Sequence, residues 1–220
     1  MAMDILEIRE LPGLVPYSGA LALQERLHEQ RRAGEIPDTL LLLEHRPVYT
    51  LGSSADASHI LMDGGQLAAA GIERVQTNRG GDVTYHGPGQ LVGYPIIHLG
   101  ERGIKVVEYV TAIEETIIRA VAEFGIAANR DERNRGVWVG DSKLCALGIR
   151  VSRQVAMHGF ALNVNTRLED FGGIIPCGIS NAGVTSMAKL LGAPPPMAAV
   201  KQAVIRQFKA VLNYSLPTNP

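Results

Sequence analysis

The chain has 220 residues, 46% of them hydrophobic, and a formal net charge of -1 at neutral pH. This length predicts one domain over residues 1–220, and the near-zero charge argues against nucleic acid as a partner. Two cysteines without a disulfide pattern, an acidic amino terminus and the lack of a long apolar run predict a cytoplasmic protein without a signal peptide or membrane span.

The first predicted elements alternate between strand and helix. Residues 4–11 alternate like a strand, and residues 18–33 have the pattern of an amphipathic helix. Residues 38–44 contain four consecutive leucines, which is typical of a strand covered on both faces. A turn is predicted to end this strand over residues 45–52.

The second half predicts two long helices with β-rich runs between them. Residues 105–124 carry apolar side chains at three- and four-residue steps, and Gly125 ends this helix. The last helix is predicted over residues 197–212. Three short runs that favour an antiparallel meander are 137–139, 144–151 and 160–164. These elements together predict an α+β fold.

The segment Arg79–Gln90, RGGDVTYHGPGQ, combines four glycines and a proline with several functional side chains. Glycine lets a ligand approach the backbone closely, so such a loop can line a binding cleft. The alternative is a tight loop whose polar side chains bind only its own backbone. The glycine spacing matches neither a dinucleotide fingerprint nor a P-loop, so ATP or NAD binding is not supported.

The two cysteines differ in context. Cys145 lies inside a predicted strand, where an inert buried thiol is the expected role. Cys177 lies between a proline and a glycine, and such a turn can present sulfur beside backbone N–H groups. A thiol needs a cation or base nearby to be an effective nucleophile. Lys143, His86 and His158 are the candidates, and residue type alone favours a histidine.

Two other readings of the polar residues are weaker. The spacings of the cysteines, His86 and His158 match no zinc pattern, so no metal is expected. The basic clusters at 130–135 and 150–153 are most simply solvated faces, and docking of an acidic carrier is a second use.

These motifs resemble the lipoyl(octanoyl) transferase family, enzymes of lipoate biosynthesis that move octanoyl from acyl carrier protein to lipoyl domains. The resemblance extends from Glu44–Gly52, EHRPVYTLG, to Val184–Ser186. It implies that Cys177 is the catalytic cysteine and Lys143 its partner. The substrate-binding residues that it implies are Arg79, Gly80, Gly81, Asp82, Val83, Thr84, Tyr85, His86, Ala146, Leu147, Gly148, Gly159, Phe160 and Ala161.

The resemblance also implies the fold of the biotin and lipoate protein ligases, a mixed, largely antiparallel sheet flanked by helices. It implies octanoyl-acyl carrier protein as the donor and an acyl-thioester intermediate. The implied acceptors are lipoyl domains of 2-oxo acid dehydrogenase complexes and the glycine cleavage H protein, with no cofactor. An amidotransferase or an ATP-dependent lipoate ligase of the same fold is the enzymatic alternative. A non-catalytic module that binds lipoyl domains or a lipid is the alternative from another class.

Overall fold

A computed structural model describes residues 5–131, 134–175 and 183–215, and its centre is a mixed β-sheet. The sheet is mostly antiparallel, with parallel pairs at its two ends. In spatial order its strands are β1 (Leu6–Val15), β2 (Asp38–His45), β6 (Gln90–Ile96), β9 (Val155–Asn163), β8 (Ser142–Ser152) and β10 (Gly183–Val184), and β7 (Gly136–Val139) also pairs with β8.

The predicted meander is confirmed by the antiparallel pairing of β7 with β8 and of β8 with β9. The β8–β9 hairpin turns at Arg153 and Gln154, which both have positive φ. A two-residue turn of this handedness matches the twist of the paired strands. The long hairpin therefore brings residues 145–149 of β8 beside residues 158–162 of β9.

A second, three-stranded sheet has β3 (Val48–Leu51) at its centre, between β4 (Glu73–Gln76) and β5 (Val83–His86). The turn predicted over residues 45–52 is therefore wrong for its second half. The β-forming residues of β3 are buried, and they pair in parallel with β4 and in antiparallel with β5. Neither partner is adjacent to β3 in sequence, so local pattern alone did not reveal the sheet.

Helices cover both faces of the main sheet. The chain forms α1 (Tyr17–Arg32), α2 (Gly64–Ala70), α3 (Val106–Ala122), α4 (Met187–Leu191) and α5 (Met197–Val211). Leu41 and Leu43 of β2 pack in a cluster with residues of α1, whereas Leu40 and Leu42 pack with residues of α3 and α5. This alternation explains the run of four leucines and confirms a strand that is buried on both faces.

The long helices begin and end close to their predicted bounds, and the α+β class is confirmed. The structure adds α2, which begins with a capping box formed by Asp63 and Gln66. It also adds the 3-10 helix Ala57–His59. The side chain of Asp56 caps this helix by accepting the amide proton of Ser58. These short elements carry the chain between β3 and β4 and lie beside the second sheet.

Candidate active site

A cavity lies between the main sheet, the start of α1 and the segment that contains β5. The empty space within it is about 500 Å³, which includes the part open to solvent. More of its lining surface is apolar than polar. The residues that line it are Tyr17, Arg79, Gly81, Asp82, Val83, Thr84, His86, Tyr94, Lys143, Ala146, Leu147, Gly148, His158, Gly159, Phe160 and Ala161.

Arg79 fixes the loop that precedes β5. Its side chain is buried, and Nη2 donates to the carbonyl of Thr50 at 2.6 Å and to the carbonyl of Asp82 at 2.7 Å. Nη1 donates to the carbonyl of Gly80 at 3.0 Å, and Nε donates to the hydroxyl of Thr50 at 3.1 Å. The planar guanidinium thus joins the loop to β3 and holds three backbone carbonyls in place.

Two glycines allow the loop to approach β8. Gly81 has a φ of 89°, which side chains other than glycine rarely adopt. A Cβ at Gly148 would lie 3.0 Å from Cδ of Arg79 and 3.1 Å from the carbonyl oxygen of Gly80. The two glycines therefore favour the close approach of the loop to β8, Gly148 through the space it leaves and Gly81 through its backbone conformation.

Lys143 is the amine that lines the cavity. It lies near the start of β8, where its Nζ donates to Oδ1 of Asn134 at 2.7 Å. Nζ also lies 4.8 Å from the ring centroid of Trp138, within the range of a cation–π contact. These contacts hold the amine at one end of the run of cavity residues contributed by β8.

The two candidate histidines are buried in the cavity wall and bound to amide side chains. Nδ1 of His86 lies 2.8 Å from Oε1 of Gln90, and Nε2 of His158 lies 2.7 Å from Oδ1 of Asn78. Burial lowers the pKa of His86 well below its usual value and the pKa of His158 to about 3. Both rings are therefore neutral at pH 7, and such a low pKa makes an imidazole a poor general base.

A histidine and a tyrosine extend this buried polar wall. Tyr94, which lines the cavity, donates its hydroxyl proton to Nε2 of His45 at 2.8 Å, while Nδ1 of His45 donates to the carbonyl of Val15 at 2.9 Å. Burial lowers the pKa of His45 to about 4. Every hydrogen-bonding atom of the imidazole therefore has a partner without a charge on the ring.

Cys145 has the environment of a structural thiol. It is fully buried in β8, opposite Leu162 of β9. Burial raises the pKa of its thiol far above neutral pH, so the thiolate is not accessible there. The predicted inert role of Cys145 fits this environment.

Cys177 lies outside the described residues, which end at Ile175 and resume at Gly183. The described residues on the two sides of this gap form backbone contacts with His59 and with Lys143. The amide of Ile175 donates to the carbonyl of His59 at 2.8 Å. Val184 pairs with Lys143 in β10–β8, and the amide of Thr185 donates to the carbonyl of Lys143 at 3.0 Å.

The structure brings most of the predicted substrate-binding residues together with Lys143. Twelve of the fourteen line the cavity. Gly80 instead lies against β8, where its amide donates to the carbonyl of Ile149 at 3.2 Å. Tyr85 belongs to a separate core cluster, where its hydroxyl donates to Oδ2 of Asp170 at 2.7 Å. Tyr85 therefore packs in this cluster and does not line the cavity, whereas its neighbours Thr84 and His86 do.

Tyr17 and Tyr94 line the cavity although the sequence analysis did not single them out. Each looks like an ordinary core residue at a helix start or within a buried strand, and no local signal distinguishes it.

Among the described residues, no group of three or more His, Cys, Asp or Glu side chains could hold a metal ion. No helix in the described part of the chain is long and apolar enough to cross a membrane.

Solved structures share this architecture. A lipoate-protein ligase A bound with ATP has a TM-score of 0.80 at 16% identity, covering 97% of this chain and 88% of that chain. Biotin protein ligase from Aquifex aeolicus has a TM-score of 0.57 at 14% identity, covering 94% of this chain and 68% of that chain. The fold is therefore that of the lipoate and biotin protein ligases, as predicted.

Proteins of similar sequence identify the family of this chain within that fold. The model for the lipoyl protein ligase A/B catalytic domain matches residues 16–209. The octanoyltransferase of Rubrobacter xylanophilus is 51% identical over 209 residues, 94% of each chain. The octanoyltransferase of Alkaliphilus metalliredigens is 47% identical over 205 residues, 93% of this chain and 94% of that one. The chain belongs to the lipoyl protein ligase A/B catalytic domain family, and it is an acyltransferase.

Proposed function

We propose that this cytoplasmic enzyme transfers octanoyl from octanoyl-acyl carrier protein, through a Cys177 thioester, to the lysine of a lipoyl domain. The acceptors are the lipoyl domains of 2-oxo acid dehydrogenase complexes and the glycine cleavage H protein. The observation that carries the proposal is the cavity itself. Its walls are largely apolar and its histidines are neutral, while Lys143 contributes an amine at one end.

Lys143 is a better partner for Cys177 than either histidine. The pKa values of His86 and His158 are lowered by burial, so neither ring can supply a cation or an effective base at neutral pH. An ammonium group near a thiol favours the thiolate by direct charge attraction. The described chain also resumes beside Lys143, since Val184 pairs with it across β10 and β8.

In the first step, the Cys177 thiolate attacks the carbonyl carbon of the octanoyl thioester on the carrier. The carbon–sulfur bond to the carrier breaks, and the carrier thiolate leaves and takes up a proton. A new thioester joins the octanoyl group to Cys177. This exchange replaces one thioester with another, so it is nearly balanced in free energy and needs no ATP.

In the second step, the neutral amine of the acceptor lysine attacks the same carbonyl carbon. The bond to the Cys177 sulfur breaks, an amide forms, and the proton lost by the attacking nitrogen passes to the departing thiolate or through Lys143. An amide is more stable than a thioester, so this step makes the cycle favourable overall. The apolar walls exclude water and so limit hydrolysis of the intermediate.

A relative of the same fold supports the choice of acceptor. A lipoate protein ligase from Thermoplasma acidophilum, whose structural study includes its E2 lipoyl domain, has a TM-score of 0.78 at 17% identity, covering 98% of this chain and 87% of that chain. A lipoyl domain is therefore a fitting partner for the open side of this cavity.

The proposal is tested by intact-mass analysis of the enzyme mixed with octanoyl-acyl carrier protein in the absence of ATP. We expect one octanoyl group per chain, and digestion should locate it on Cys177. Cys177→Ala should abolish both the adduct and the transfer to a lipoyl domain. Cys145→Ala is the matched control and should retain both. Transfer by Cys177→Ala at the wild-type rate would contradict the mechanism.

The same assay separates the alternatives. An ATP-dependent ligase, which the shared fold also allows, would require ATP and free octanoate or lipoate instead of the carrier thioester. A non-catalytic binding module would form no adduct, and its Cys177 would react with iodoacetamide no faster than an ordinary thiol. A catalytic thiolate should be alkylated rapidly at mildly acidic to neutral pH.

A further inference from the structure

His59 connects two parts of the chain that the proposed reaction must bring together. It is the last residue of the 3-10 helix Ala57–His59. Its ring nitrogen Nδ1 lies 2.5 Å from Oδ2 of Asp82, a residue of the cavity wall. Its backbone carbonyl accepts the amide proton of Ile175 at 2.8 Å. Ile175 precedes Cys177 by two positions in the sequence.

The carboxylate of Asp82 is held by more than one donor. Oδ1 accepts the amide proton of Asp56 at 3.2 Å, while Oδ2 accepts from His59. The backbone carbonyl of Asp82 accepts from Nη2 of Arg79 at 2.7 Å. The side chains of His59 and Asp82 are 25% and 13% exposed, so water screens this pair only in part. A hydrogen bond to a carboxylate is stronger than one between neutral groups.

The residues that follow His59 bind the residues that precede Ile175. Ile60 forms an antiparallel bridge with Ile174, and the amide of Leu61 donates to the carbonyl of Gly173 at 2.9 Å. Gly173 through Ile175 is therefore aligned by successive backbone contacts with the segment that begins at His59. A shift of the His59 backbone would move this aligned segment relative to the cavity wall.

The ring of His59 does not itself line the cavity, as defined by the described residues. It therefore lacks the position of a general base that touches the reacting atoms. Its contacts are instead those of a brace between the Asp82 loop and the segment leading to Cys177. Correct alignment of nucleophile and carbonyl has a large effect on rate, since a misplacement of about 1 Å can cost about 100-fold.

We propose that His59 is a positioning residue, and that its hydrogen bond to Asp82 aligns the acyl-binding loop with the chain segment that carries Cys177. This inference rests on the proposed function. The sequence resemblance assigned no role to His59.

The test measures the single-turnover rate of Cys177 acylation at saturating octanoyl-acyl carrier protein. His59→Ala and Asp82→Ala should each lower this rate about 10- to 100-fold, with a smaller change in the donor concentration for half-maximal rate. The double variant should be no slower than Asp82→Ala, because Asp82→Ala already removes the bond to His59 together with the bond from the Asp56 amide. His59→Asn should recover most of the rate, since its side-chain amide can donate to Asp82 in place of Nδ1.

Ser58→Ala is the matched control, because it alters the same 3-10 helix and removes only the bond from the Ser58 hydroxyl to Asp56. It should acylate at the wild-type rate. Thermal unfolding of every variant separates misalignment from loss of folding. Additive effects, no rescue by His59→Asn, or rates that follow thermal stability would overturn the role of His59. If the wild type is acylated on Cys177 and His59→Ala matches it, only this inference fails. If the wild type forms no Cys177 adduct, the proposed function fails and this inference with it.

Discussion

The two faces of the main sheet serve different purposes. The cluster against α3 and α5 consists of aliphatic and aromatic side chains, with Ile113, Ile117 and Phe208 fully buried. The opposite face, toward α1 and the second sheet, buries His45, His158 and other polar groups around the cavity. Burying a polar group is costly unless it is hydrogen-bonded. Polar groups on this face surround the candidate site, whereas the α3–α5 face buries mainly apolar side chains.

Changing Lys143 should have the largest effect on the cavity face. Lys143→Ala should lower kcat by about 1000-fold, equivalent to about 4 kcal/mol of transition-state stabilisation, because the Cys177 thiolate loses its cation. Thermal unfolding should change little. Lys201→Ala removes a lysine that is paired with Glu10 away from the cavity, and it should leave kcat unchanged. Equal kcat values for the two variants would contradict the assignment of Lys143.

Changing Phe208 should have the converse effect. Phe208→Ala should lower the free energy of unfolding by about 3–5 kcal/mol because it leaves a cavity in the α3–α5 cluster. The kcat/KM of the molecules that remain folded should stay close to that of the wild type. Urea unfolding and assays at low temperature measure the two quantities. Arg206→Ala, an exposed change on the same helix, should cost less than about 1 kcal/mol.

Acid should destabilise the cavity face through its buried histidines. The pKa of His158 is about 3 in the folded protein, below the usual 6.5. Its contribution to stability is therefore complete above pH 6.5 and is lost as the pH falls from 6.5 toward 3. The loss amounts to about 2 kcal/mol between pH 6.5 and 5. His158→Gln should make the dependence of unfolding free energy on pH shallower in this interval. An unchanged slope would show that His158 does not bind an additional proton on unfolding.

Changing Tyr85 gives the smallest effect and sharpens the boundary of the site. Tyr85→Phe should lower the free energy of unfolding by about 1 kcal/mol, because it removes the hydrogen bond to Asp170. The kcat/KM should not change, since Tyr85 packs in the separate core cluster and does not line the cavity. Tyr94→Phe removes a hydroxyl from a residue of the cavity wall and should alter kcat/KM. A larger change in kcat/KM for Tyr85→Phe than for Tyr94→Phe would support the original prediction that Tyr85 binds substrate.

The sequence by itself determined the long elements and the chemistry of the motifs. Apolar spacing predicted α3 and α5, because one face of each helix must pack against the core. Four consecutive leucines predicted a strand buried on both faces, and β2 has that environment. The glycine-rich segment predicted a cavity wall. Most of the substrate-binding residues that the resemblance implied line one cavity together with Lys143. The role of Cys177 rests on the sequence, since it lies outside the described residues.

Only the tertiary structure decided which of these residues face each other. The second sheet, the exclusion of Tyr85 from the cavity and the inclusion of Tyr17 and Tyr94 depend on pairing between distant segments. The same is true of the His59–Asp82 contact, which joins residues 23 positions apart, one in a 3-10 helix and the other in the loop before β5. Local pattern reports only which side of an element is apolar. The partner on that side is selected by strand register and packing, which no short stretch of sequence contains.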